Sequence, residues 1–213
     1  ELRNHAPDTG GRAEPRGPGD LDLEPVGSPD PRDRHLAQRV RRLATRVEFF
    51  GHDSTNMDRA QLAWLDERLG KSTAEWKVVF LHHPLYTSGR YRNASRAHRW
   101  AIEPILLRHH VNVVLAGHEH IYQRTELQQA ILYFVSGGAG SLRRGDGVAA
   151  PFIARSYDED YHFVLMEIQN NRMHFQAVSR AGDTIDAGTL FRDAEEAAGL
   201  RTNEPTPRDT AVP

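Results

Sequence analysis

From Val47 onward, the alternation of apolar and polar positions is that of a layered globular unit. Val47-Glu48-Phe49-Phe50-Gly51 predicts a strand, and Asp53-Ser54-Thr55-Asn56 a turn and helix cap. A helix then runs to about Leu69, with Leu62, Leu65 and Leu69 inward and Gly70 ending it. Lys77 to Leu81 predicts a second strand, Tyr86 to Asn93 a polar loop, and Ser95 to about His109 a helix that Pro104 either kinks or begins. Val111 to Ala116 is apolar and largely β-branched apart from Asn112, as in a strand covered on both faces. Strand alternating with helix argues for an α/β layered sheet. After His120 the helical period stops. Ile131–Ser136, Tyr161–Gln169, Met173–Ser179 and Thr184–Leu190 predict strands, and the turns Asn170-Asn171 and Gly182-Asp183 make the later ones antiparallel hairpins. Ser141 to Ser156 reads as a Gly- and Arg-containing loop, either a plain connection or the lining of a site.

Upstream of this unit the pattern is different. Residues 1–47 contain no Phe, Trp or Tyr and are rich in Pro, Gly and Arg, so most of the segment is expected to stay disordered. Within it, Leu36, Val40, Leu43 and Val47 recur at helical spacing, which predicts an amphipathic helix over 33–47 with an arginine-bearing outer face. Beyond Phe191 the chain becomes acidic and then polar and Pro-containing, as a flexible tail would. The expected division is therefore a divergent segment 1–47, a folded unit 48–191 and a tail 192–213.

Composition adds constraints to this outline. The net charge of −2, with 26% charged residues, offers no global field for nucleic acid, so a nucleic-acid partner is not expected. The sequence has no cysteine, so any metal must sit on His, Asp, Glu or Asn. No apolar run approaches the roughly 18–20 residues needed to span a bilayer, so a soluble chain is expected, cytoplasmic or exported.

The twelve histidines are many for 213 residues and cluster between His82 and His120. Two apolar strands each end in histidine: Val78-Val79-Phe80-Leu81-His82-His83-Pro84, and Val113-Val114-Leu115-Ala116-Gly117-His118-Glu119-His120. Adjacent strands of this kind would aim imidazoles at one sheet edge, and Gly117 would let the chain turn tightly so that His118 and His120 leave together. His83 reads as a supporting or exposed histidine, and His109 and His110 as partners of a helix end. Arg90, Arg92 and Arg96 are either phosphate contacts or solvated loop charges.

Together, His82 before Pro84, Gly117-His118-Glu119-His120, Tyr122-Gln123-Arg124 and Tyr133-Phe134-Val135-Ser136-Gly137-Gly138-Ala139-Gly140 resemble the C-terminal part of the calcineurin-like metallophosphoesterases, in particular the purple acid phosphatase-like branch. The resemblance implies a layered metallophosphoesterase-type sandwich, with a mixed sheet and C-terminal antiparallel strands, incomplete at its N-terminus. It implies a phosphoesterase acting on phosphate esters through two metal ions, with Fe, Mn and Zn not distinguished. His82 and His118 would bind one ion and His120 the other, and His98 falls where some members place a substrate-contacting histidine. The family's D-x-H, G-D and G-N-H-D/E blocks have no clean counterpart: Leu2-Arg3-Asn4-His5 and Gly19-Asp20 resemble two of them in the wrong order. The expectation is therefore a fragment or an inactive copy whose open edge is covered by a missing segment or a partner. The alternative is a non-catalytic phosphate-ligand or protein-binding module that keeps the fold.

Overall fold

The computed structural model describes residues 46–192, together with the backbone of two short strands, β1 (Glu24–Pro25) and β2 (Ala37–Arg41). The elements that follow are β3 (Arg46–His52), α1 (Arg59–Lys71), β4 (Trp76–Leu81), α2 (Arg92–Arg108), β5 (Val113–Ala116), β6 (Tyr122–Thr125), β7 (Leu132–Ser136), β8 (Ile153–Tyr157), β9 (His162–Gln169), β10 (Arg172–Ser179) and β11 (Thr184–Phe191). An eight-stranded sheet runs β1-β2-β3-β4-β5-β7-β6-β8, and a separate antiparallel sheet runs β11-β10-β9. In the large sheet β3, β4, β5 and β7 are parallel, and antiparallel strands close both sides.

The layering follows from the two faces of the central strands. In β4, Val79 and Leu81 face α1 and α2, where they meet Leu65, Leu69, Ile102 and Leu106. Trp76 and Val78, on the opposite face, join Val113 and Phe134 against Met173, Phe175 and Ile185 of the small sheet. A strand buried on both sides must be apolar throughout, which explains the unbroken apolar runs read from the sequence. Each such side chain contributes about 1.5–3 kcal/mol on burial. The structure is thus helices, mixed sheet and antiparallel sheet in three layers, the α/β class expected.

Several local readings change. The helix expected over 33–47 is overturned at its centre, because Ala37–Arg41 is a strand paired with β3, with Val40 opposite Val47. The open edge of β3 offers a row of backbone donors and acceptors, and pairing with it outweighs a marginal helical period. The rest of that segment, with Asn4, His5 and Asp20, lies outside the described residues, as does the tail from residue 193. Tyr122–Thr125 and Ile153–Tyr157, read as a motif and part of a loop, are strands at the far edge of the large sheet. α1 is capped by Asp58, whose Oδ1 accepts from Gln61 N at 2.8 Å, whereas Asp53 closes its own turn onto Thr55 N at 2.9 Å. Gly70 lies inside α1 rather than ending it; a Cβ there would come within 3.1 Å of the His109 ring, so glycine permits close packing of the helix against α2's end. α2 starts at Arg92, earlier than expected, and carries Pro104 within it.

Candidate metal centre

Parallel pairing of β4 with β5, in a register that sets Leu81 opposite Ala116, ends the two strands side by side. Gly117 N then donates to His82 O at 3.1 Å, so the two histidine-bearing turns are joined by backbone as well as by position. The residue that makes the turn is His118 itself, which adopts φ 64°. Left-handed backbone is uncommon for a residue with a Cβ, and its presence at a strand tip marks a position held by its surroundings. Gly117 does not take that conformation, which corrects its expected role as the turning residue.

His82, His83 and His118 place ligand atoms all within 4.8 Å of one another. His118 Nδ1 and His82 Nε2 are 2.9 Å apart, close to the roughly 3.3 Å between two nitrogens on one tetrahedral zinc. His83, which the sequence reading set aside, belongs to this group. Its ring lies 4.5 Å from that of His118 and stacks on His98 at 4.8 Å. Its Nδ1 side is held by Ser54 Oγ at 3.0 Å, and Ser54 Oγ also accepts from His83 N at 2.9 Å. His98 in turn meets Ser54 O through Nε2 at 3.1 Å. His120 lies outside the group of three, and its Nδ1 is buried with no hydrogen-bond partner.

Burial and neighbouring charge favour the neutral form of His118 and His83. Burial pushes the His118 pKa below the ordinary value, and the charges of His83, His82, Arg143 and His120 push it further the same way. Burial and the neighbouring His98 and His82 do the same to His83. Neutral imidazole is the form that binds a metal. The donor set therefore fits a borderline cation such as zinc or iron. The group holds imidazoles alone, with no carboxylate to bridge a pair of ions among the described residues.

Three residues given no role of their own from the sequence complete the surroundings. Glu119 is fully buried; its Oε1 accepts from Tyr91 N at 2.6 Å, and its Oε2 is buried without a hydrogen-bond partner. The Tyr91 ring lies 4.4 Å from the His118 ring. Arg143 donates its backbone N–H to His120 O at 3.1 Å, sets its guanidinium 5.6 Å from the Tyr91 ring centre, and buries Nη1 with no hydrogen-bond partner. An orphaned guanidinium N–H on a residue whose charge reaches His118 is a donor ready for an anionic oxygen. Its one sequence signal was its place in the Gly- and Arg-containing loop behind Gly140. His109 pairs with Asp66 at 2.6 Å, far from this group in role as well as contact.

Comparison with known proteins gives this geometry its relatives. The family model described as calcineurin-like phosphoesterase matches residues 27–122. Acid phosphatase A of Cryphonectria parasitica is 26% identical over 162 residues, 67% of this chain and 31% of that protein. Purple acid phosphatase 5 of Arabidopsis thaliana is 32% identical over 89 residues, 40% of this chain and 22% of that protein. The purple acid phosphatase PPD1 of yellow lupin superposes with a TM-score of 0.64 at 13% identity, over 88% of this chain and 38% of that one. The chain is thus similar in sequence to metallophosphoesterases of the purple acid phosphatase-like type, and its mixed and antiparallel sheets are those of the purple acid phosphatase fold. It spans about a third or less of the length of these curated relatives. No helix among the described residues is long and apolar enough to cross a membrane.

Proposed function

We propose that this chain is a metal-dependent phosphoesterase that hydrolyses the P–O bond of a phosphate ester, with residues 48–191 as its metal-bearing unit. The observation that carries this reading is the convergence of His82, His83 and His118 at two adjacent strand ends, with Arg143 acting on His118 and its Nη1 buried without a partner. In this reading His82 and His118 hold one ion, His83 adds to that set, and His120 serves a second. Bound metal ions supply Lewis-acid polarisation of the phosphoryl group and activation of water. The chain's own residues hold the rest. Ser54 and His98 orient the His83 ring, so His98 acts as a positioning residue. Tyr91, tied down by Glu119, packs on His118, and Arg143 offers a charged donor to a phosphate oxygen.

The all-imidazole donor group also favours a second reading, a non-catalytic module that binds a phosphate ligand or a protein. Three neutral ligands do little to offset the mutual repulsion of two cations. The structure of GAP50 from Plasmodium, described as the anchor in the inner membrane complex, shares the fold with a TM-score of 0.62 at 22% identity, over 78% of this chain and 58% of that one. One experiment separates the readings. The chain is stripped with chelator, reloaded with zinc, manganese or iron, assayed for retained metal, and tested on 4-nitrophenyl phosphate and bis(4-nitrophenyl) phosphate. Hydrolysis that falls at least about a hundredfold in both His82→Ala and His118→Ala supports the phosphoesterase. Metal retention and phosphate binding without turnover of either ester supports the binding module.

A further inference from the structure

The loop that places Tyr91 on His118 has a second side. There a cavity of about 470 Å³ lies between the beginning of α2 and the segment before β8. Arg92, Arg96 and Arg99 line one wall, and Val148, Ala149 and Phe152 line the other. The arginines stand at i, i+4 and i+7, so they form one stripe along the helix and their charges repel.

No acidic residue lines the cavity, and none of the three arginines is in an ion pair with a carboxylate among the described residues. Arg99 stacks over the Tyr86 ring at 4.3 Å, which fixes its plane. Arg92 Nη1 reaches only Gly89 O, at 3.5 Å. The opposite wall is apolar: Val148 is 51% exposed, and Phe152 is anchored on Tyr86 with ring centres 5.7 Å apart. A stripe of unpaired cations facing an apolar wall across a cavity is complementary to a ligand that carries two acidic groups on a flat apolar body.

We propose that this cavity is a binding site for an aromatic organic dianion, separate from the histidine group. Its charge would be shared among the three guanidinium groups, and its ring would rest on Val148 and Phe152. Concave shape, lack of counter-charge and an apolar wall are independent features, and a merely solvated arginine face requires none of them. The site stands apart from any hydrolysis at the histidines.

The test uses naphthalene-1,5-disulfonate, which has no phosphate ester to cleave, titrated calorimetrically into the metal-stripped full chain at low ionic strength. Saturable one-to-one binding that weakens with salt is expected, since the recognition is by exposed charge. The double substitution R92Q/R96Q should weaken it by at least about tenfold, the loss of two charge-assisted contacts. Val148→Asp should weaken it through the opposite wall, and His118→Ala should leave it unchanged. Arg92, Arg96 and Val148 are exposed, and an unchanged thermal midpoint shows that the fold survives their replacement. Absence of binding to the parent chain overturns the proposal. So does binding that survives R92Q/R96Q and Val148→Asp but is lost in His118→Ala, since the anion would then sit at the histidines.

Discussion

Arg143 concentrates the chemistry of the candidate centre in a single side chain. A buried guanidinium nitrogen without a partner costs free energy unless something anionic occupies its approach. If that anion is the substrate's phosphate, Arg143→Ala should raise KM for 4-nitrophenyl phosphate by about tenfold or more, with metal content unchanged. Arg143→Lys should recover part of the loss, because lysine keeps the charge but not the fork. His162 makes a different prediction. It is 4% exposed and burial holds its pKa below the ordinary imidazole value, with the Asp160 carbonyl opposing weakly. The folded chain therefore binds fewer protons at this site than the unfolded chain near the unfolded imidazole pKa of about 6.5. The stability contributed by neutral His162 is complete above that pH and declines as pH falls through it. In urea melts of the metal-stripped protein, His162→Gln should flatten the acid side of the stability profile between about pH 6.5 and 5.

At the scale of elements, the turn after β7 shows why its glycines cannot be replaced. A Cβ on Gly137 would stand 2.2 Å from the Glu119 carbonyl oxygen, and one on Gly138 would stand 2.4 Å from the His162 ring. The first contact is with backbone, which has no rotamer to yield. Gly137→Ala should therefore cost about 3 kcal/mol in chemical denaturation and lower metal affinity, since it displaces the Glu119 backbone between His118 and His120. The motif Ser136-Gly137-Gly138 was visible in the sequence, but its reason is the close approach of the β5–β6 turn. The same scale explains the helix that became a strand: the period of Val40 and Val47 is local, whereas the ladder that pairs them is supplied by β3.

For the whole molecule, the joint between the two sheets is the feature most open to a stability test. Asp186 on β11 accepts from Tyr122 Oη at 2.7 Å and from Arg124 Nε at 2.7 Å, both on β6 of the large sheet. Its side chain is 7% exposed and that of Arg124 is 19% exposed, so removing one partner strands the other charge away from water. Asp186→Ala should destabilise the chain by about 3–5 kcal/mol in urea or guanidinium unfolding. Trp76 strengthens the same joint, with Nε1 donating to Asn170 O at 2.8 Å from the heart of the apolar layer. The histidine group sits at the strand ends of a scaffold clamped from both faces, and its imidazoles inherit that rigidity.

The sequence by itself determined the layers and the delivery of histidines. Short apolar runs such as Val113–Ala116 point to a strand covered on both faces, and hairpin turns at Asn170-Asn171 and Gly182-Asp183 point to the antiparallel sheet. His82 and His118 were legible because each closes an apolar strand. Only the tertiary structure decided which other groups meet them. His83 joins through Ser54 and His98, residues 29 and 15 positions away along the chain, and Arg143 arrives on a loop beyond β7. The antiparallel strands β2, β6 and β8 that flank the parallel core likewise take their form from the neighbours they pair with. Periodicity records what a residue must bury, whereas convergence of polar groups depends on strand register and loop path, which no local pattern carries.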